Sequence, residues 1–239
     1  MLKYKKILIK LSGEGFANKS KHLAIDYDLV NNIALQLKQI IDLGVQVSIV
    51  IGGGNFWRGA SAAKNGIPRS RADYIGMMAT MMNAIALRSG FENMGLKARV
   101  LSSFDIDPRV AEYYVKEKAM KYLGDGEIVI FGGGTGRPYF TTDTAATLYA
   151  AEIGAEVILM GKNNIDGIYD SDPKTNPGAV KFDTITYDQI LERKLQVMDL
   201  TATSMASENN INLIVFNILE DNSIVRALKG EIEHTEVTK

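Results

Sequence analysis

Six short runs rich in β-branched and leucine side chains punctuate the chain: KKILIKL (5–11), VQVSIVI (45–51), KARVLSS (97–103), EIVIF (127–131), EVILM (156–160) and INLIVF (211–216). Helical stretches separate most of them. Asp26 caps one at 26–44 that stops at Gly44; another follows Pro68 over about 71–94. In DPRVAEYYVKEKAMKYLG (107–124), Asp107 reads as the cap and Pro108 as the first helical residue. TTDTAATLYAAEIGA reads as a helix, DGIYDSDPKTNPGAVKF as a turn-rich loop or hairpin, and 186–193 and 199–210 as short helices before INLIVF and a final EIEHTEV. Strands alternating with helices give βαβ units, so the expected fold is α/β: three αβα layers around a mostly parallel open sheet.

A parallel sheet directs all its strand ends to one edge, and ligands collect outside the carboxyl ends. Polar or glycine-rich segments fall there: KLSGEG, IGGGN, FGGGTGRPYFTTD and GKNNIDG. Three glycines in a row, found twice, sacrifice chain entropy unless bare backbone is needed close to something. Gly-rich turns running toward helix N-termini point amides inward and bind anions. One such turn alone is more often only a tight turn. Several on one edge point to phosphate, and two facing one cleft suit a donor and an acceptor. Neither GxxxxGK[ST] nor GxGxxG is present, which excludes the P-loop and the dinucleotide fingerprint.

Composition narrows the chemistry. Twenty-seven basic against 28 acidic residues leave a net charge of -1, giving no global field for a nucleic-acid backbone or an anionic membrane. The chain has no cysteine, and His22 and His234 lie far apart, so disulfides, thiolate chemistry and a zinc motif are excluded. A metal would be oxygen-ligated, and Mg²⁺ fits. No run approaches the length of a membrane span or signal peptide, and the expected location is the cytoplasm.

Each candidate residue carries two readings. Lys10 is a solvated edge lysine or an ammonium aimed into the cleft mouth; Arg58 and Arg137 are surface charges or phosphate forks beside glycine nests. Thr141, Thr142 and Asp143 form a helix-start signal, yet a carboxylate among phosphate-facing amides calls for a cation beside it. Asp73 either favours its helix N-terminus or accepts ribose hydroxyls; Tyr169 and Asp172 are turn residues or hold adenine and ribose. The helix GMMATMMNAIALRSG, with four of the ten methionines, reads first as buried all round and otherwise as a subunit interface.

Together KLSGE (10–14), IGGGNFWRG (51–59), GTGRPYFTTD (134–143), NNIDGIYDSDP (163–173), VMDLTA (197–202) and the late VFN resemble the bacterial uridylate (UMP) kinases of the amino acid kinase family, in order along essentially the whole chain. The resemblance implies transfer of a phosphoryl group from ATP to UMP with Mg²⁺, in a homohexamer inhibited by UTP and responsive to GTP. It implies one domain, with 1–155 approximately the UMP-binding part and 156–239 approximately the ATP-binding part. Lys10, Arg58 and Asp143 would be catalytic, with no protein-ligated metal site. Lys10, Leu11, Ser12, Gly13, Gly54, Arg58, Asn163, Tyr169 and Asp172 would bind ATP. Gly53, Asp73, Thr135, Gly136, Arg137, Pro138, Tyr139, Phe140, Thr141 and Thr142 would bind UMP, with Thr135 or Thr142 choosing uracil over cytosine. This chain departs from some relatives in having Asn164 in place of a lysine, a charge that is either absent or supplied by Lys162. The segment 13–26 matches the effector region only loosely. Sister kinases acting on a carboxylate or carbamate, an oxyanion-storing relative and a plain nucleotide-binding module are the alternatives.

Overall fold

The computed structural model describes residues 2–18, 20–59 and 66–239, which leaves Lys19 of the effector-like segment outside. In β1 (Lys6–Leu11) the side chains alternate in orientation. Ile7, Ile9 and Leu11 join one core, Leu8 the other, and Lys10 shares the Leu8 face. β2 (Gln46–Ile51) pairs parallel on one side of β1, and β6 (Val157–Lys162) on the other. β5 (Ile128–Gly132), β3 (Ala98–Ser102) and β4 (Glu112–Tyr113) extend the sheet beyond β2; β10 (Asn212–Asn217) extends it beyond β6. β11 (His234–Thr238) runs antiparallel to β10, and β9 (Thr184–Thr186) closes that edge. The order β4-β3-β5-β2-β1-β6-β10-β11-β9 makes nine strands, mostly parallel as expected.

Each face is covered by helices. The Ile7/Ile9 face packs α1 (Tyr27–Asp42), α2 (Arg69–Asn93) and α7 (Ser223–Lys229). The Leu8/Met160 face packs α3 (Lys116–Gly124), α4 (Thr142–Ile153), α5 (Tyr187–Glu192) and α6 (Leu200–Glu208). These are the three αβα layers. Phe131 on β5 stacks on Tyr149 of α4 at 4.1 Å, with Tyr114 edge-on to both, which fixes where α4 lies. A small hairpin of β7 (Ile168–Tyr169) and β8 (Lys181–Phe182) forms a two-stranded unit of its own, in line with the turn-rich composition, and is tied to β11 by the Thr235 hydroxyl, which accepts the Ile168 amide and donates to the Phe182 carbonyl.

Three expectations are corrected. The helix predicted from Asp107 begins only at Lys116. Asp107 closes a single turn, its carboxylate accepting from the Arg109 amide and guanidinium, after which the chain extends to pair with the edge of β3. The methionine-rich α2 is not buried all round. Met77 and Met81 are in the core, while Tyr74, Ile75, Met78 and Met82 form an exposed apolar stripe. Finally, α7 was not anticipated; its N-cap, Asn222, adopts a left-handed conformation after the polar run Glu220–Asp221.

Candidate active site

β5, β2, β1 and β6 are adjacent, so the four polar segments that follow them lie side by side on one edge. The first two touch directly. The Gly52 amide donates to the Leu11 carbonyl at 3.0 Å, and a Cβ on Gly13 would overlap the Gly52 backbone, so only glycine fits there. In the second glycine run, Gly133 and Gly134 both take positive φ, turning the loop sharply over the end of β5.

One helix holds both runs. The Thr80 hydroxyl of α2 accepts the Gly133 amide at 2.8 Å, and the buried Asn83 side chain donates to the Gly52 carbonyl at 2.7 Å and shares hydrogen bonds with Asn55. A Cβ on Gly53 would stand 2.7 Å from Ala79, so the first run lies flat on α2. Tyr149 adds a second restraint, its hydroxyl donating to the Gly134 carbonyl at 3.0 Å. Thr80, Asn83 and Tyr149 escaped sequence reasoning because each reads as an ordinary helix residue.

At the centre stands an ion pair between Lys10 and Asp143, 2.7 Å apart and largely buried. Lys10 comes from the end of β1 and Asp143 from the first turn of α4. Thr141 is the N-cap, its hydroxyl accepting the amides of Asp143 and Thr144 at 3.1 and 3.2 Å. The Lys10 contact to Asp143 Oδ1 is an electrostatic pair without a well-directed hydrogen bond, so this buried oxygen retains acceptor capacity. Met160 of β6 pairs with Lys10, and Lys162, two residues on, projects from the same face. The Lys162 ammonium donates to the Val197 carbonyl at 3.1 Å. Burial lowers its pKa, with the like charge of Lys10 adding to the shift and Asp143 opposing it. Two ammoniums around one carboxylate leave the cleft floor net positive, suited to a phosphate chain.

Cavities open on either side. One, of about 350 Å³, is walled by Gly53, Asp73, Thr135, Arg137, Phe140 and Thr142, among others. Asp73 pairs with Arg69 at 2.9 Å and accepts the Tyr139 amide at 2.8 Å. Tyr139 holds a positive φ of 74°, a strained conformation for a side chain of that size, and its ring points to solvent. Pro138 lies outside this wall, and Gly136 faces a separate cavity behind the loop. A second cavity, of about 560 Å³, lies beyond β6, walled by Lys162, Tyr169, Asp172, Pro173, Leu195 and Val197 among others. The Tyr169 hydroxyl donates to Asp166 at 2.7 Å.

Other expected residues fall between or behind. Arg58 pairs with Glu14 at 2.7 Å, and the Glu14 side chain lies across Gly54. Asn163 sits against Gly15 and shares with Arg58 and Glu14 the wall of a neighbouring cavity. Leu11 keeps its side chain in the core and offers only backbone, and Ser12 opens the short 3₁₀ turn Gly13–Phe16. Asp199, not singled out in the sequence, accepts hydrogen bonds from Thr141 and Thr144. Its place before Leu200 at the start of α6 marked it as a helix cap, which it also is.

Comparison with known proteins identifies the family. The amino acid kinase family model matches residues 5–217. The uridylate kinase of Mycoplasmopsis synoviae is 75% identical over 239 residues, covering 100% of both chains. The crystal structure of UMP kinase from Ureaplasma parvum superposes with a TM-score of 0.94 at 40% identity, covering 100% of both chains. That of UMP kinase from Bacillus anthracis gives 0.93 at 38% identity, covering 98% of this chain and 96% of the other. By sequence over its full length and by fold, the chain belongs to the amino acid kinase family, among its uridylate kinases.

Proposed function

We propose that this chain transfers the γ-phosphoryl group of ATP to UMP, giving ADP and UDP. The observation that carries the reading is the Lys10–Asp143 pair standing where two cavities flank one glycine-lined edge. Phosphoryl transfer asks mainly for in-line alignment and neutralisation of shared charge. The acceptor phosphate is already ionised at neutral pH and needs no general base, so the absence of histidine from the cleft is consistent.

The larger cavity, with Tyr169 and Asp172, takes the adenosine of ATP; the smaller takes UMP, with Asp73 accepting from ribose hydroxyls and Thr135 or Thr142 reading the uracil edge. The UMP part then corresponds approximately to 1–155 and the ATP part to 156–239. Lys10 and the glycine-loop amides stabilise charge on the moving group, and Arg58 joins them by exchanging Glu14 for phosphate. Asp143 holds Lys10 in place. Mg²⁺ would be carried mainly by the nucleotide phosphates, and Asp143 Oδ1, a buried oxygen with no hydrogen-bond partner, is a protein atom that would join it. When bound, the ion supplies charge neutralisation between the phosphates.

The apolar stripe Tyr74, Ile75, Met78 and Met82 supports self-association into a homo-oligomer, and we assign it a hexamer. UTP, which shares the uridine of UMP, acts as a competing inhibitor, and GTP as an effector. No described helix is long and apolar enough to cross a membrane. We assign the enzyme to the cytoplasm. The test is ADP release from ATP with UMP, with CMP and without acceptor. UMP-dependent release well above the other two supports the reading; equal turnover of CMP removes the threonine assignment, and none with UMP removes the reading.

A further inference from the structure

The hydroxyl of Thr141 is saturated as an acceptor. It takes the amides of Asp143 and Thr144 at 3.1 and 3.2 Å, which engages both its lone pairs and leaves its proton as the remaining hydrogen-bonding capacity. It donates to Asp199 Oδ2. The buried Thr144 hydroxyl donates to the same oxygen at 2.9 Å. The other oxygen, Oδ1, accepts the Ala202 amide at 3.0 Å and so caps α6. One carboxylate therefore closes the N-termini of two helices: α6 directly, and α4 through two threonine hydroxyls. Burial pushes the Asp199 pKa up, but these hydrogen bonds outweigh it and hold the group below the ordinary carboxylate range, keeping an acceptor-only anion where two donors need one.

Two residues upstream, the Val197 carbonyl holds the Lys162 ammonium at 3.1 Å, and Leu195 to Val197 form part of the wall of the larger cavity. The stretch 195–199 thus touches the donor side at one end and the start of α4 at the other. Asp143, in that first turn, is the partner of Lys10.

We propose that Asp199 is a positioning residue for phosphoryl transfer, holding the first turn of α4, and through it Asp143 and Lys10, in place from the donor-cavity wall. This deepens the function proposed above and rests on it.

The test uses two near-isosteric variants of the full chain. Asp199→Asn keeps an oxygen to cap α6, since asparagine is a good N-cap, but turns an NH₂ toward hydroxyl oxygens that are already acceptors. Thr144→Val leaves Asp199 and its cap untouched. The expected result is a kcat for Asp199→Asn lower by roughly 10- to 100-fold, since small misplacements of reacting groups cost about that much. The Kd for ATP should stay within about twofold and the far-UV circular dichroism should match wild type, because affinity and fold depend on other contacts. Thr144→Val slows kcat in the same direction, and the double variant is no slower than the worse single, because both break one link. A kcat for Asp199→Asn within about twofold of wild type overturns the proposal and leaves Asp199 a cap of α6. Effects of the two variants that multiply also overturn it. Should Asp199→Asn fail to fold, Thr144→Val decides alone. Wild-type protein in the same assay keeps the two readings apart. If it turns over an acceptor other than UMP, the assignment of UMP falls while the variants are compared on that acceptor; if it turns over none, both fall.

Discussion

Thr80 and Asn83 stand one turn apart on α2 and hold the two glycine runs of the chain, the threonine by accepting the Gly133 amide and the asparagine by donating to the Gly52 carbonyl. The cleft floor is therefore built on a single rigid element, although its two loops are eighty residues apart in sequence. Replacing Asn83 with leucine leaves a buried carbonyl unpaired, and the expected loss is about 1–3 kcal/mol of unfolding free energy. Urea denaturation reads it. Because Gly52 precedes Gly53 in the wall of the cavity proposed for the acceptor, KM for UMP is expected to rise as well.

Lys10→Ala removes one of the two ammoniums of the cleft floor, and kcat should fall on the order of 10²–10³-fold, the range found for losing one preorganised charge-stabilising donor. Asp143→Asn leaves Lys10 unpaired and slows turnover in the same direction. Unchanged circular dichroism with either loss places it in the chemistry; a normal rate for Lys10→Ala removes that residue from the mechanism.

Glu14 and Arg58 make a second test. With Glu14 holding the Arg58 guanidinium across Gly54, a phosphate that engages Arg58 as proposed has to displace a carboxylate. Glu14→Gln weakens that competitor, so KM for nucleotide is expected to fall by a few-fold, in proportion to the roughly 0–1 kcal/mol of an exposed ion pair. Arg58→Ala raises KM and lowers kcat. Initial-rate kinetics on the pair of variants gives opposite signs.

Lys162 gives a pH-dependent prediction. Its folded pKa lies below the ordinary 10.5, so between those two values the unfolded chain binds more protons than the folded one. Stability therefore gains a rising component as pH climbs from the folded pKa toward 10.5, and Lys162→Met removes it. A triphosphate beside this lysine opposes the burial effect and restores its proton, so ATP binding at a pH between the folded pKa and 10.5 takes up protons, visible as a buffer-dependent enthalpy in titration calorimetry. Equal enthalpies in buffers of different ionisation heat refute it.

The exposed stripe on α2 predicts self-association. Met78→Glu with Met82→Glu places charges on that face without touching Met77 or Met81 in the core. Light scattering should show a smaller species than wild type, and an unchanged mass clears the stripe of this role.

Much of this edge of the molecule was legible from the chain alone. Lys10 declared itself by lying near the end of an apolar run that leads into Ser12-Gly13, and Asp143 by standing two residues after a capping threonine, since strand ends and helix starts are local signals. Asp199, Thr80 and Asn83 did not, because their partners lie across the fold and come close only once β1, β2, β5 and β6 are ordered side by side. Asp107–Pro108 was misread for a related reason: it is a sound local start signal, but the pairing of Glu112 and Tyr113 with Leu101 and Ser102 claims the chain first. The stripe on α2 was hidden by composition, since methionines at adjacent positions look uniformly apolar until the helix direction sorts inward from outward.

Lys6 and Lys10 lie four residues apart on the same face of β1, and each reaches an opposite end of α4: Lys6 donates to the Ile153 carbonyl at 3.0 Å and Lys10 meets Asp143. Strand and helix are thereby bolted together at two points, like a beam fixed at both supports. Adding or deleting a residue inside that helix would rotate its far end by more than a quarter turn and break one bolt or the other. Length is thus dictated within α4, because its two ends answer to one strand.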